Sequence, residues 1–346
     1  DARRGRDAGV ARGRRGDARG PRPALRLVLV FAMFIAACGN TATVSPSPTP
    51  ENPTFTPFAQ PSPQPGQKQE PSLPVAIEEA AAAASGHDLY VMGGFNATGA
   101  SLNTTYVFDG NSWRSGPVLP LPLDHPSAAT IDGSVYIAGG HSNGRDSPRL
   151  FRLDVDHWTE LAPMRFARGG HALIAAQGKL YAVGGNTSFA NVPQVEVYDP
   201  AANAWSVATT LPDPRNHLMG FVYQGSICVA GGRSPTTSRV DCYNGSWSSL
   251  PALPLATSGG GGTAFGGNDL VVTGGQDASE TRIVNQLARW SGHGWTSESM
   301  LDPRHGFELA IYEGRAWACG GGSAPGLHPV ATCTSIGDTA GVTRGR

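Results

Sequence analysis

Three arginines, Arg168, Arg215 and Arg304, each stand 16 residues ahead of a glycine that opens a Gly-Gly pair. Histidines lie close by at His171, His217 and His305, and His125 precedes another such pair. A shared offset puts like residues at like points of a repeating structure. Guanidinium groups gathered in a ring favour a carboxylate or phosphate, because each planar fork makes paired charge-assisted hydrogen bonds. Arginines at a recurrent position also suit a structural role, bonding loop carbonyls in each unit. No HExxH, P-loop or GxSxG pattern occurs, which disfavours the common hydrolases and nucleotide enzymes. No CxxC or HxxxH spacing occurs either, so the reading assigns no metal site and no cofactor.

The elements that must position these residues repeat. A Gly-Gly pair closes a short apolar run six times, at Gly94, Gly140, Gly185, Gly232, Gly275 and Gly321, with spacings of 46, 45, 47, 43 and 46 residues. A Trp follows five of the pairs by 15 to 20 residues: Trp113, Trp158, Trp205, Trp247 and Trp295. A Gly-containing turn precedes every pair, and turns such as Asp109-Gly110 and Asn244-Gly245 precede the tryptophans. Each unit reads as four short strands, and units of about 45 residues point to propeller blades. The Ala run 78–84 has helical propensity, but the repeat frame assigns it to the first strand of the first unit.

This register of Gly-Gly pairs, turns and tryptophans resembles the kelch repeat family over roughly residues 71–346. The resemblance implies an all-β fold, a six-bladed kelch β-propeller with four-stranded antiparallel blades. The sixth unit has three strands and no Trp after its Gly-Gly pair. Glu70-Pro71-Ser72-Leu73-Pro74 resembles the fourth strands of other units and is predicted to close the ring. Strand parity sends the loops between strands two and three, and those between blades, to one face. That long-loop face is the expected binding surface. In kelch propellers that bind peptides or sugar acids, the blade-start residues resemble the region that contacts ligand. The resemblance therefore puts Arg168, Arg215, Arg304, His125, His171, His217 and His305 around the mouth of the central channel.

The front of the chain is different. Residues 1–37 hold nine Arg and three Asp, so the remainder is mildly acidic and gives no footprint for nucleic acid. Residues 27–37 form an uncharged apolar run of eleven, too short for a spanning helix and suited to the core of a secretory signal. The run ends Ile35-Ala36-Ala37-Cys38, which resembles a bacterial lipobox and implies lipidation of Cys38. Residues 38–70 are rich in Pro, Ser and Thr and read as an extended spacer. Export permits disulfides, and Cys228–Cys242 and Cys319–Cys333, each 14 residues apart, are the predicted pairs. Their offsets from the Gly-Gly pairs differ, so at most one is expected to be directly cross-strand.

The reading that follows is an exported, membrane-anchored lipoprotein. It is a monomeric kelch propeller held to the membrane only by its lipid, and it binds a protein, peptide or glycan. A catalytic role is left open and disfavoured. The alternative is a carbohydrate-active enzyme resembling N-acetylneuraminate epimerase, which would need an acid–base group beside a sugar acid; Glu78, Glu79 and the arginines could supply parts of it, and nothing in the sequence singles them out.

Overall fold

The computed structural model describes residues 66–266 and 269–337. The apolar run, Cys38 and most of the Pro-rich segment lie outside the described residues. Six separate antiparallel sheets form. Blade one is Ala81–Ser85, Asp88–Met92, Thr105–Phe108 and Trp113–Ser115. Blade two is Asp124–Ile131, Ser134–Ser142, Leu150–Leu153 and Trp158–Leu161. Blade three is Ala172–Ala176, Lys179–Val183, Gln194–Asp199 and Ala204–Thr210. Blade four is Met219–Tyr223, Ser226–Ala230, Val240–Tyr243 and Trp247–Leu250. Blade five is Gly261–Phe265, Asp269–Thr273, Leu287–Trp290 and Trp295–Glu298. Blade six is Leu309–Tyr312, Arg315–Cys319 and Cys333–Ile336, completed by Gln67–Glu70 from the front of the chain. The fold is an all-β, six-bladed propeller, and the Ala run supplies a strand as expected.

The core lies between blades. Each of six buried apolar clusters joins two neighbouring sheets; Ala81, Met92, Val135, Ile137 and Phe151, for example, weld blades one and two. The tryptophans explain themselves as latches. Trp113, Trp158, Trp205 and Trp295 donate their indole N–H to Pro71, Pro117, Ala162 and Pro251 carbonyls of the preceding blade, at 2.8–3.0 Å. Trp247 reaches Thr209 Oγ1 at 3.3 Å. A large apolar ring with one donor fills the gap between twisted sheets and fixes their spacing.

Closure occurs slightly earlier in the chain than expected. Gln67–Glu70 pairs antiparallel with Cys333–Ile336, so the sheet takes in residues that the sequence reading gave to the spacer. Gln67 stands opposite Ile336, where other blades carry the Trp. Its side-chain amide does the latch's work: it donates to Ser299 O at 2.8 Å and accepts from Leu301 N–H at 2.7 Å. Of the segment expected to close the ring only Glu70 belongs to that strand; residues 71–74 lie in the crossover into blade one.

Both disulfides form, Cys228–Cys242 and Cys319–Cys333. Both are direct cross-strand pairs, which corrects the expectation of at most one. Blade six has a longer loop between strands two and three, and this compensates for the different offset of Cys319 from its glycines.

The Gly-Gly pairs mark backbone contacts too close for a Cβ. At Gly139 an added Cβ would lie 2.5 Å from Arg168 O, and at Gly140 it would lie 2.6 Å from Asp124 O. The Gly140 N–H donates to Arg168 O at 2.8 Å, tying the end of one blade to the start of the next.

Candidate functional site at the channel mouth

The three arginines do not face the channel. Arg168, Arg215 and Arg304 are fully buried. Arg168 donates to Gly184 O and Gln194 O, each at 2.9 Å, and to Glu196 Oε2 at 2.8 Å. Arg215 donates to Gly231 O at 2.6 Å and Asp241 Oδ2 at 2.9 Å. Arg304 donates to Gly320 O at 2.7 Å and Thr332 O at 2.6 Å, and pairs with Asp302. Each guanidinium therefore clamps strand ends of its own blade and is saturated there. Burial draws all three below the ordinary arginine range, and the acidic partners oppose that shift. The structure thus corrects the expected guanidinium ring: a fixed cation with several donors is held where strand ends expose carbonyls, behind the channel wall.

Two residues after the arginine position the chain reaches the channel itself. There one residue from each blade, Glu79, His125, Gly170, His217, Gly259 and Gly306, joins a closed ring of backbone hydrogen bonds. Every N–H in it donates to the carbonyl of the residue from the preceding blade, at 2.6–3.0 Å. All six have positive φ, between 52° and 69°. Glycine adopts that conformation freely. Glu79, His125 and His217 hold it at a cost of order 1 kcal/mol each. The glycines also make room. A Cβ at Gly170 would come within 2.8 Å of the His217 ring, and one at Gly306 within 2.8 Å of Glu79 Oε1.

The non-glycine side chains converge. His125 Nε2 lies 3.6 Å from Glu79 Oε2, and the His125 and His217 rings are 5.0 Å apart, edge to face. His125 Nδ1 pairs with Asp124 Oδ1 at 2.8 Å and His217 Nδ1 with Asn216 Oδ1 at 2.6 Å. Arg233 Nη2 lies 3.0 Å from His217 Nε2, and its Nη1 bonds Glu280 at 2.7 Å. Burial lowers His125, but the Glu79 and Asp124 carboxylates outweigh it and hold the imidazole above its ordinary value. Burial, then Arg233, holds His217 well below its own.

The other two predicted histidines flank this ring. His305 is buried, 3.8 Å from Glu79 Oε1, and its Nε2 bonds Ala324 O at 3.0 Å. His171 sits one residue past Gly170 and is buried behind the wall; burial pushes it down to about 3, so it is neutral. Glu78, next to the ring, accepts from the His328 N–H at 2.9 Å and is pushed up to about 7 by burial.

Above His125 a cavity of about 490 Å³ opens among the loops of blades one to three. Phe95, Ser101, Asp124, His141, Asn143 and Asn186 line it. His141 is oriented by Asp146 at 3.0 Å. Below the ring the channel narrows, and Glu308 crosses it to accept hydrogen bonds from the Ala82 N–H at 2.9 Å and from Ser127.

The sequence reading did not single out Glu79, His141, Asn216 or Arg233. One signal was available: the ring residues fall 15 residues before the second glycine of five Gly-Gly pairs, and 16 before it in blade five.

Comparison with known proteins agrees with this architecture. Residues 64–232 match the KLHDC2/KLHL20/DRC7 Kelch-repeats domain. Kelch-like protein 33 of Homo sapiens is 34% identical over 127 residues, covering 35% of this chain and 24% of that protein. Kelch-like protein terF of Aspergillus terreus is 24% identical over 291 residues, covering 73% of this chain and 63% of that protein. A solved structure titled "Structure of YjhT" superposes with a TM-score of 0.68 at 16% identity, covering 78% of this chain and 97% of that one. The fold is thus a six-bladed propeller, and residues 64–232 of it are similar to a Kelch-repeats domain. The chain spans only a quarter to two thirds of the length of these two curated relatives.

Proposed function

We propose that this propeller is a binding module, exported and held at a membrane by a lipid on Cys38, which recognises a protein, peptide or glycan on its long-loop face. One observation carries the reading: exposed apolar side chains concentrate on that face. Phe189 and Leu327 stand on loops between strands two and three, and Val75, Val118, Phe166 and Leu255 on loops between blades. Exposed apolar groups around a concave, polar-lined depression suit a partner that buries them. The test pans a peptide-display library and a glycan array with the purified protein and with Phe189→Ser, Leu327→Ser and Val155→Ser. Val155 is exposed in the opposite-face turn between strands three and four of blade two. Binding lost in the first two variants and kept in the third supports the reading; binding kept in all three removes it. Labelling with radioactive palmitate that disappears in Cys38→Ser tests the anchor.

A second reading, a sugar-acid enzyme resembling N-acetylneuraminate epimerase, draws on the carboxylate and imidazoles beside the depression. Its test is proton NMR of anomer exchange in N-acetylneuraminate. Acceleration that Glu79→Gln abolishes would favour it over the binding module.

A further inference from the structure

From the convergence of Glu79, His125 and His217 at the neck ring we infer a binding site for one divalent transition-metal ion of the zinc or iron kind. The three come from blades one, two and four and are far apart in sequence, so no local spacing announces them. Their ligand atoms lie within 4.8 Å of one another, and all three side chains are partly exposed to the channel mouth. The 3.6 Å between His125 Nε2 and Glu79 Oε2 is already close to the separation of two ligands that each sit about 2.0–2.2 Å from a shared ion.

The surroundings argue for the same use. A ligating histidine needs its second nitrogen held, so that the tautomer and ring direction are fixed. His125 Nδ1 is held by Asp124, and His217 Nδ1 by Asn216. Each orienting residue immediately precedes its histidine, and in both the Nε2 lone pair is the one left for the centre. Two imidazoles and one carboxylate select zinc, iron and similar ions over magnesium or calcium, which prefer all-oxygen shells. Three protein ligands leave further coordination positions for water or an oxygen donor from the depression above. The placement is also conformationally specific. Three of six equivalent ring positions are glycine, and the three that carry strained side chains are the three that meet. One group opposes the ion: Arg233 Nη2 bonds His217 Nε2 and must turn away, toward the Glu280 carboxylate it already holds.

The ring supplies its own test, because glycine fits all six backbone positions. The full chain, stripped with a chelator, is titrated with zinc by calorimetry and with cobalt(II) by visible absorption, and with magnesium as a contrast. The expected result is one equivalent of zinc, cobalt bands of a nitrogen- and oxygen-ligated ion, and no heat with magnesium. Glu79→Gly, His125→Gly and His217→Gly should each abolish binding while melting at or above the wild-type temperature. Asp124→Ala should weaken binding about 10–100-fold. Arg233→Ala should tighten it, and His157→Gln, at an exposed turn of blade two, should leave it unchanged. Absence of saturable zinc binding overturns the site. Zinc affinity that survives any of the three glycine substitutions, or that falls in Arg233→Ala, does so as well.

Discussion

Replacing Glu308 by glutamine should make the propeller more stable at neutral and alkaline pH and leave it unchanged in acid. Glu308 is half-buried in the channel below the neck ring, and burial pushes its carboxyl from 4.5 up to about 7, against the opposing hydrogen bonds from Ser127, Ala82 and Ala128. Below pH 4.5 the folded and unfolded chains both hold the proton, and the group's full contribution is present. Between 4.5 and 7 the unfolded chain ionises while the folded one does not, so stability falls as pH rises. Above 7 both are ionised and the loss stands in full. A rise of roughly 2.5 in pKa at about 1.4 kcal/mol each gives about 3 kcal/mol, a ceiling because water in the channel screens the charge. Glutamine keeps the shape, accepts from the Ala82 N–H and has no proton to lose. Urea unfolding of the wild type and Glu308→Gln from about pH 4 to about pH 9, with chelator present, reads the difference directly. The gap should open between about pH 4.5 and 8, reaching up to about 3 kcal/mol, or several degrees in melting temperature. A gap that is flat across the range, or that opens toward acid, would refute the reasoning.

Arg168→Met should destabilise by about 3–5 kcal/mol, because it strands Glu196 as a buried, unpaired carboxylate; Arg168→Met with Glu196→Leu should recover part of this in the same urea assay. Gln67→Ala removes both latch bonds of the closing strand and should cost about 1–3 kcal/mol, and deleting 66–70 should expose the Cys333–Ile336 edge and produce higher oligomers in gel filtration. Cys228→Ser with Cys242→Ser should lower stability by about 2–3 kcal/mol, and reductant in the wild type, which opens both disulfides, should lower it further, read by thermal unfolding with and without dithiothreitol.

Much of this fold was legible because propeller physics writes itself into single columns. Gly-Gly pairs recur where one blade's end meets the next blade's carbonyls, and Trp recurs where an indole must span to the previous blade. Those demands are local and identical in each unit, so period and residue type sufficed, and they overrode the helical propensity of the Ala run. The missing sixth Trp pointed correctly to a closing strand from the front of the chain. The strand's position was misplaced because Gln67 does a tryptophan's work with an amide, which no Trp column reveals. The direction of a side chain at a blade start was not legible from offset alone. Arg168 and Arg215 turn into their own blades because Glu196 and Asp241, buried on the third strands, wait for them. The acids stand at unequal offsets, 28 residues after Arg168, 26 after Arg215 and two before Arg304, so spacing alone does not announce the clamp.

The separation between clamp and ring has a functional consequence. The arginines, the inter-blade clusters and the tryptophan latches fix where the six neck residues sit, and backbone hydrogen bonds join all six of them into the ring. A side chain there contributes little to holding the propeller together and, with positive φ, works slightly against it. Glycine at every neck position would be the most comfortable choice, as blades three, five and six show. A histidine or glutamate retained at such a position is therefore explained by what its side chain meets, not by what the fold requires. In this chain what it meets is the other two.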